Sequence, residues 1–472
     1  MIKNTSVLLT IIFCCIKFSL FAQTSTKENS TISFSLKQAL DYATKNSPVM
    51  KNAEIDLESS KKRIWEYTAI GLPQVNSKLA YSYMITLPEK ITEFSSLSSL
   101  GGWMYRIDKN MTKVDPSYFP TPGLTPTDPN QKQVTNNDLR WGLTYDITVS
   151  QIIFSGAYLV ALQTNKELRN LSDLMINKSE NDLIESVTNA YYLVLIAQQN
   201  KILLDSIVGN TETILSNIRA FNQQGLVEET DVDQMELTLS NIKNTADMLT
   251  RQIEVAKNLL KFQAGVDMNK NIILTDNLND LLNATDFNTL LIKEFKPENN
   301  SDYKIMFSQE KLALDYLKYQ KSSLLPDIAA FYNHQENFNK NSFTFTPPNM
   351  IGINANIPIF GSGMKLARIK QAKLSLEKAK NTTSQVSSGL ITGFSETKSN
   401  YINSYNKYLT YKKNILIANK IYKNTLIKYK EGMASSLELT QSQTQYIQTQ
   451  TNFYTSIIEL ANAKSKMEKM LK

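Results

Sequence analysis

The sequence predicts a mainly α chain with a membrane β-barrel portion, laid out as an internal two-fold repeat. Three observations carry that reading: paired marks in the two halves, dyad alternation in the strands, and long helical stretches free of proline. Gln74–Thr86 and Asp327–Glu336 each follow a Leu-Pro pair, with Pro73 and Pro326 as the helix-to-strand junctions. The next strands, about 139–154 and 350–360, both lead through small residues into very long helical segments. Gly156 in one half, and Gly361 and Gly363 in the other, are the strand-to-helix turns. Within those segments Phe221-Asn-Gln-Gln-Gly225 answers Tyr429-Lys-Glu-Gly432. Repeats of this size, with few strands and much helix, point to a symmetric tube rather than an enzyme with one pocket.

The first element is an export signal. Lys3, an apolar run from Val7 to Phe21 and the Leu20-Phe-Ala22 end read as a signal peptide, residues 1–22, cut after Ala22. Cys14 and Cys15, the only cysteines, lie in the part removed, so the mature chain is expected to hold no thiol. Phe13 before Cys14 argues against a lipoprotein, which needs a small residue there. Removal of Lys3 and Lys17 lowers the formal charge of +7 to +5. Acids and bases alternate along Lys166-Glu-Leu-Arg169 and Lys178-Ser-Glu180, and the charge reads as spread without a basic block. No nucleic-acid partner is expected.

The strands come next. Trp141, Leu143, Tyr145, Ile147 and Val149 alternate with small or polar residues, as do Ile351, Ile353, Ala355, Ile357 and Ile359. Val75, Leu79, Tyr81 and Tyr83 repeat the pattern, which suits a lipid-facing barrel with a wet interior. A soluble antiparallel sheet with one packed face gives the same alternation. The export signal, the aromatic residues and the small number of strands favour the membrane. Four strands cannot close a spanning barrel, so several chains would contribute to one. Residues 87–137, rich in Pro, Gly, Ser, Thr and Asp, form a long loop that barrel proteins of this kind place outside the cell.

The helices carry most of the mass. From Val160 to Ala220, apolar residues such as Leu183, Val187, Tyr191, Val194, Leu204 and Ile207 recur at three- and four-residue spacings. A continuous helix of about 60 residues would be roughly 90 Å long. Such a helix needs lateral partners along its length, in a coiled-coil-like bundle or a barrel of helices. Gly225 and Gly432 suit the left-handed backbone that ends a helix. Glu228-Glu-Thr-Asp231 and Ser435-Ser-Leu-Glu438 then begin the return with caps and first-turn acids. The predicted organisation is a first repeat over 23–264, an inter-repeat segment over 265–300 and a second repeat over 301–472. Ser35 is a candidate cap at the start of the first helix.

Catalytic chemistry finds little support. His334 is the only histidine, which excludes a histidine cluster or zinc site within one chain. Gly361-Ser-Gly363 lacks the Lys-Ser/Thr ending of a phosphate loop. Asp231 and Asp233 are two apart and do not share a helix face. No enzyme activity, cofactor or metal is expected.

The duplicated plan, the two Leu-Pro junctions, the Ile-Phe-Ser-Gly156 and Ile-Phe-Gly-Ser-Gly363 turns and the hairpin glycines resemble the TolC family of outer-membrane efflux proteins. The resemblance covers essentially the whole mature chain. It implies a homotrimer in which each chain gives four strands to a twelve-stranded barrel in the cell outer membrane, continued by a periplasmic α-helical barrel. The inter-repeat segment would form a band around the middle of that cylinder. It also implies a periplasmic adaptor, an inner-membrane pump of the resistance-nodulation-division or ABC type, and surrounding outer-membrane lipid. Family members narrow the inner end with a ring of acids after the second hairpin glycine. The matching position is Glu438, followed three residues later by Gln441 where a second acid would stand, with Asp231 as the first-repeat counterpart. The implied function is a passive exit duct for small molecules, drugs or protein. A secreted coiled-coil stalk or adhesin is the alternative, and detergent dependence separates the two; a diffusion porin has no use for such helices.

Overall fold

The structure, a computed structural model, describes residues 31–86, 140–283, 289–338 and 347–472, with isolated positions at 107, 109–111, 113 and 287. The expected signal peptide and all but those isolated positions of loop 87–137 lie outside the described residues. In chain order come β1 (Thr31–Phe34), α1 (Leu36–Asn46), α2 (Pro48–Ala69), β2 (Gln74–Tyr83) and β3 (Trp141–Ser155). There follow α3 (Gly156–Gln223), α4 (Glu229–Ala264), β4 (Asn271–Leu274), α5 (Leu278–Asn283) and α6 (Thr289–Ile292). A 3-10 turn, Pro297–Asn299, leads to α7 (Ser301–Ser322), β5 (Asp327–Asn337), β6 (Asn349–Asn356), α8 (Met364–Lys430) and α9 (Ser436–Met470). The chain divides into two compact units, and α3 and α8 contribute residues to both.

One unit, Glu54–Asn177 with Pro297–Leu390, holds an antiparallel sheet in the order β2-β3-β5-β6. Its register sorts the side chains by chemistry. Val75, Val149, Tyr332 and Ile351 align across the four strands, and one residue further on, Asn76, Thr148, Asn333 and Met350 align on the opposite face. There Asn333 Nδ2 donates to Thr148 Oγ1 at 2.9 Å. A bulge between Ile152 and Phe154 restores the alternation that Gln151 interrupts, by returning Phe154 to the apolar face. Val75, Leu79 and Tyr81 are each 67% exposed, so this chain places nothing over the apolar face at β2.

The last strand is shorter than the expected 350–360. It ends at Asn356, and Ile357–Phe360 leave the ladder, because Pro358 has no N–H to give to it. The first strand likewise stops at Tyr83, although Met84 still donates its N–H to Arg140 O at 2.6 Å.

The two Leu-Pro junctions are built alike. Leu72 N–H donates to Ala69 O, and Leu325 N–H donates to Ser322 O, each at 3.0 Å, before the proline sets the first strand residue. Gly156 opens α3 under Leu325, where an added Cβ would lie 2.7 Å from Leu325 Cδ1. Gly363, at φ +79°, stands one residue ahead of α8.

The second unit gathers the residues up to Ala53 with Lys178–Lys296 and Ile391–Lys472. In it α4 buries Met235, Leu239, Ile242, Ala246, Leu249, Ile253, Ala256 and Leu260, an alternation of four and three that is the spacing of a coiled coil. Burial of each large member stabilises by roughly 1.5–3 kcal/mol. Leu183, Val187, Tyr191, Val194, Leu204 and Ile207 on α3 are all buried, as their periodicity predicts. Helix α9 runs antiparallel to α3, fixed by polar pairs. Lys469 Nζ lies 2.7 Å from Asp182 and 2.8 Å from Glu185, Gln450 donates to Asn200 at 2.9 Å, and Gln443 donates to Thr211 at 2.5 Å.

Ser35 caps α1 with a complete capping box to Gln38. The short strand before it, β1, pairs in parallel with β4 from the inter-repeat segment. Sequence reasoning missed that pairing, since two four-residue strands this far apart carry no periodic signal. Asp276 reinforces it by accepting from Leu36 N–H at 2.7 Å and lying 3.0 Å from the buried Tyr191 hydroxyl.

The charge is distributed differently from the sequence expectation. Helix α8 alone holds fourteen Lys or Arg against two Glu, within a chain whose formal charge is +7. The alternation of signs at 166–180 is a local property of α3 that α8 does not share.

Candidate functional site at the hairpin ends

The glycines that end α3 and α8 close the same motif. Gly225 N–H donates to Asn222 O at 2.8 Å and Leu226 N–H to Phe221 O at 2.9 Å. Gly432 N–H donates to Tyr429 O at 3.0 Å and Met433 N–H to Lys428 O at 2.7 Å. Each is the paired hydrogen-bond pattern of a Schellman ending, with the glycine left-handed at φ +76° and +71°. Leu226 and Met433, which follow the glycines, are exposed.

The returns differ. Helix α9 starts from a full capping box: Ser435 Oγ accepts from Glu438 N–H at 3.2 Å, and Glu438 Oε2 accepts from Ser435 N–H at 3.1 Å. Helix α4 starts at Glu228, whose side chain makes no cap bond, so the expected capping holds for one hairpin and fails for the other. Glutamate is a weaker cap than serine because its longer stem carries the carboxylate past the first-turn N–H groups.

The candidate acids occupy unequal places. Asp231, in the first turn of α4, is half-buried and accepts from Ser436 Oγ through Oδ1. Glu438 is exposed, with Oε2 engaged by the capping box. Gln441 is exposed further along α9. The structure therefore joins Asp231 to the second hairpin through Ser436, a residue that sequence reasoning treated only as part of a cap signal. Tyr429 lies close by: burial first, and the Asp231 charge second, push its phenol above the ordinary tyrosine range.

Beneath these turns Ile214, Leu215, Ile218, Met235, Leu239, Tyr422 and Leu439 form one buried cluster, with Tyr429 and Tyr446 packed against it. Tyr422 and Tyr446 stack with ring centroids 5.6 Å apart. Chemically the arrangement offers carboxylates, hydroxyls and an apolar base. Among the described residues no group of three His, Cys, Asp or Glu could hold a metal ion.

Residues 298–469 match the family model described as outer membrane efflux protein. The fold is similar to that of the outer membrane protein VceC from Vibrio cholerae, at 13% identity and a TM-score of 0.66, covering 92% of this chain and 95% of that one. It is also similar to the Campylobacter jejuni CmeC outer membrane channel, at 16% identity and a TM-score of 0.67, covering 94% of this chain and 85% of that one. The Neisseria gonorrhoeae MtrE outer membrane channel, in its open state, gives 12% identity and a TM-score of 0.64, with coverage of 92% and 88%. No curated protein matches the chain by sequence. Residues 298–469 thus match the outer membrane efflux protein family, and the chain shares the fold of these outer-membrane channels.

Proposed function

We propose that the protein is the outer-membrane exit duct of a tripartite efflux or type I secretion system. It would pass small molecules, drugs or protein outward without chemistry of its own. The observation that carries this reading is the β2-β3-β5-β6 sheet, in which Val75, Leu79, Tyr81, the odd-numbered residues Trp141–Val149, Tyr332, Ile351 and Ile353 share one face, with His334 and Glu336 among them, while the other face is mostly small or polar apart from Ile152, Phe331 and Met350. A soluble sheet buries such a face, whereas Val75, Leu79, Tyr81, Ile351 and Ile353 are exposed in the single chain. The family match over residues 298–469 supports the same reading.

The edges of the sheet support an assembly of several chains. Strands β2 and β6 each have a neighbour on one side only, and lipid does not tolerate unpaired backbone. Three chains, with β6 of each paired to β2 of the next, close a twelve-stranded barrel. A periplasmic adaptor and an inner-membrane pump, of the resistance-nodulation-division or ABC type, would deliver the cargo. The hairpin ends at Gly225 and Gly432 are assigned to the periplasmic tip, with Glu438 and Asp231 as the acids of its constriction and Gln441 beside them.

The test is oligomer mass in detergent together with conductance in a planar bilayer. A conducting trimer upholds the duct. A monomer that stays soluble without detergent and does not conduct overturns it in favour of a secreted stalk or adhesin.

A further inference from the structure

Strand β5 carries two ionisable side chains on the face of the sheet that is mostly apolar. His334 and Glu336 stand two residues apart, so both project from the same side of the strand, beside Ile147 and Tyr145 of β3. On its other flank His334 pairs with Asn349 of β6, near the end of the β5–β6 hairpin. No lysine or arginine stands in register on this face of the four strands, so the sheet offers Glu336 no base.

The hydrogen bonds fix which imidazole nitrogen is free. Asn349 Oδ1 accepts from the Tyr332 hydroxyl at 2.8 Å and lies 2.8 Å from His334 Nδ1. A carbonyl oxygen can only accept, so Nδ1 carries the hydrogen, and Nε2 of the neutral ring keeps its lone pair. That Nε2 lies 4.0 Å from Glu336 Oε2, beyond hydrogen-bond distance, with the two side chains 35% and 48% exposed. Two electron-pair donors thus face one gap that solvent reaches.

A metal-binding histidine gives its other ring N–H to a carbonyl or carboxylate that holds the ring in place, which is the part Asn349 plays here. Nitrogen and oxygen ligands at about 2.0–2.1 Å around a tetrahedral ion stand roughly 3.4 Å apart, so a small rotation of the Glu336 carboxylate closes the gap. We propose that His334 and Glu336 chelate one divalent transition-metal ion such as zinc, with water in its remaining positions. The imidazole ligand selects against magnesium and calcium, which take oxygen ligands. A single histidine suffices for such a strand pair, although it builds no histidine cluster. The site lies within one chain and stands whether or not three chains close a barrel.

Because His334 is the only histidine, ring-nitrogen NMR of the full chain in detergent, with labelled histidine and no histidine tag, reports this site alone. Zinc is expected to move the Nε2 signal and leave Nδ1 protonated, saturating at one ion per chain, while magnesium at the same concentration moves neither. In equilibrium dialysis, His334→Gln is expected to abolish that binding and Glu336→Gln to weaken it. Asn349→Ala is expected to weaken it by about tenfold through loss of the orienting bond. An Nε2 signal that zinc leaves unmoved, an equal response to magnesium, or a bound ion that survives His334→Gln overturns the site. A soluble, non-conducting monomer that still binds zinc at His334 removes the duct and upholds the site.

Discussion

Asp231 and Ser436 tie the first turns of the two returning helices, α4 and α9, to each other through a hydroxyl-to-carboxylate hydrogen bond. The bond joins the two hairpins within one chain at the residues that follow their glycine turns. Ser436→Ala removes the donor and leaves a half-buried carboxylate without it. A cost of about 1 kcal/mol is expected, below the usual value for a charged bond because Asp231 is partly exposed. Hydrogen exchange should quicken around residues 229–235 and 436–442 and stay unchanged in β2–β6. Unchanged exchange at both hairpins would show that the bond does not hold them.

Glu438 closes the capping box of α9, and one substitution separates that part from the constriction role proposed for it. Glutamine supports the same capping box, so Glu438→Gln should leave the melting temperature close to that of the parent. It removes the carboxylate, so the cation-over-anion permeability ratio in a planar bilayer should fall. Ser435→Ala is the converse, costing about 1 kcal/mol of stability with little effect on selectivity. A selectivity ratio indifferent to Glu438→Gln would place the constriction elsewhere.

Gly225 and Gly432 matter for their backbone alone. An added Cβ meets nothing within 4 Å at either, yet φ is +76° and +71°. Alanine at each is expected to cost about 1 kcal/mol, and asparagine less. Gly71 is the contrast, since a Cβ there would lie 2.2 Å from the Tyr158 ring, and Gly71→Ala should be the most damaging of the three by thermal denaturation in detergent.

Thr211 and Gln443 form a buried polar pair whose orientation is set. The Thr211 hydroxyl hydrogen goes to Ile207 O at 2.7 Å, so its oxygen must accept from Gln443 Nε2, and Gln443 Oε1 has no protein partner. Thr211→Val should cost about 1–3 kcal/mol by leaving the whole amide unpaired. Gln443→Leu together with Thr211→Val should recover most of it. A double variant as unstable as the single would show that packing, not the amide, is at stake.

The Tyr429 phenol gives a pH test with a definite sign. Its folded pKa is raised, first by burial and then by the Asp231 charge, above the ordinary value of 10.0. The folded state therefore holds this proton more tightly than the unfolded state. Its contribution to stability is complete below pH 10 and is lost as pH rises through the folded value. Asp231→Asn should move the ultraviolet titration of this tyrosine to lower pH, and an unmoved titration would mean that burial acts alone.

The elements legible in advance were those with long or repeated signals. The dyad pattern of Trp141–Val149 and the helical spacing of Leu183–Ile207 needed no tertiary information, because burial of one face imposes a period on the sequence. Pro73 and Pro326 marked their junctions because proline removes a donor and constrains the residue before it. The end of β6 was misjudged because Ile357 and Ile359 continue the alternation past Pro358, and a period of two cannot register a missing N–H. The candidate acids were found by position, but their environments were not: that Asp231 is held by Ser436 depends on two helices more than 200 residues apart.

The sequence by itself determined the long helices, the four strands of the larger sheet though not the end of β6, and where the hairpins turn, while β1 and β4 escaped it. These follow from backbone constraints and from periods read along one segment. The tertiary structure decided what segments distant in the chain do to one another. It paired β1 with β4, set Gln443 against Thr211, joined Asp231 to Ser436 and brought Lys407 of α8 to Glu459 of α9. Such pairings depend on which side chains are brought within hydrogen-bonding distance, and no local period encodes that.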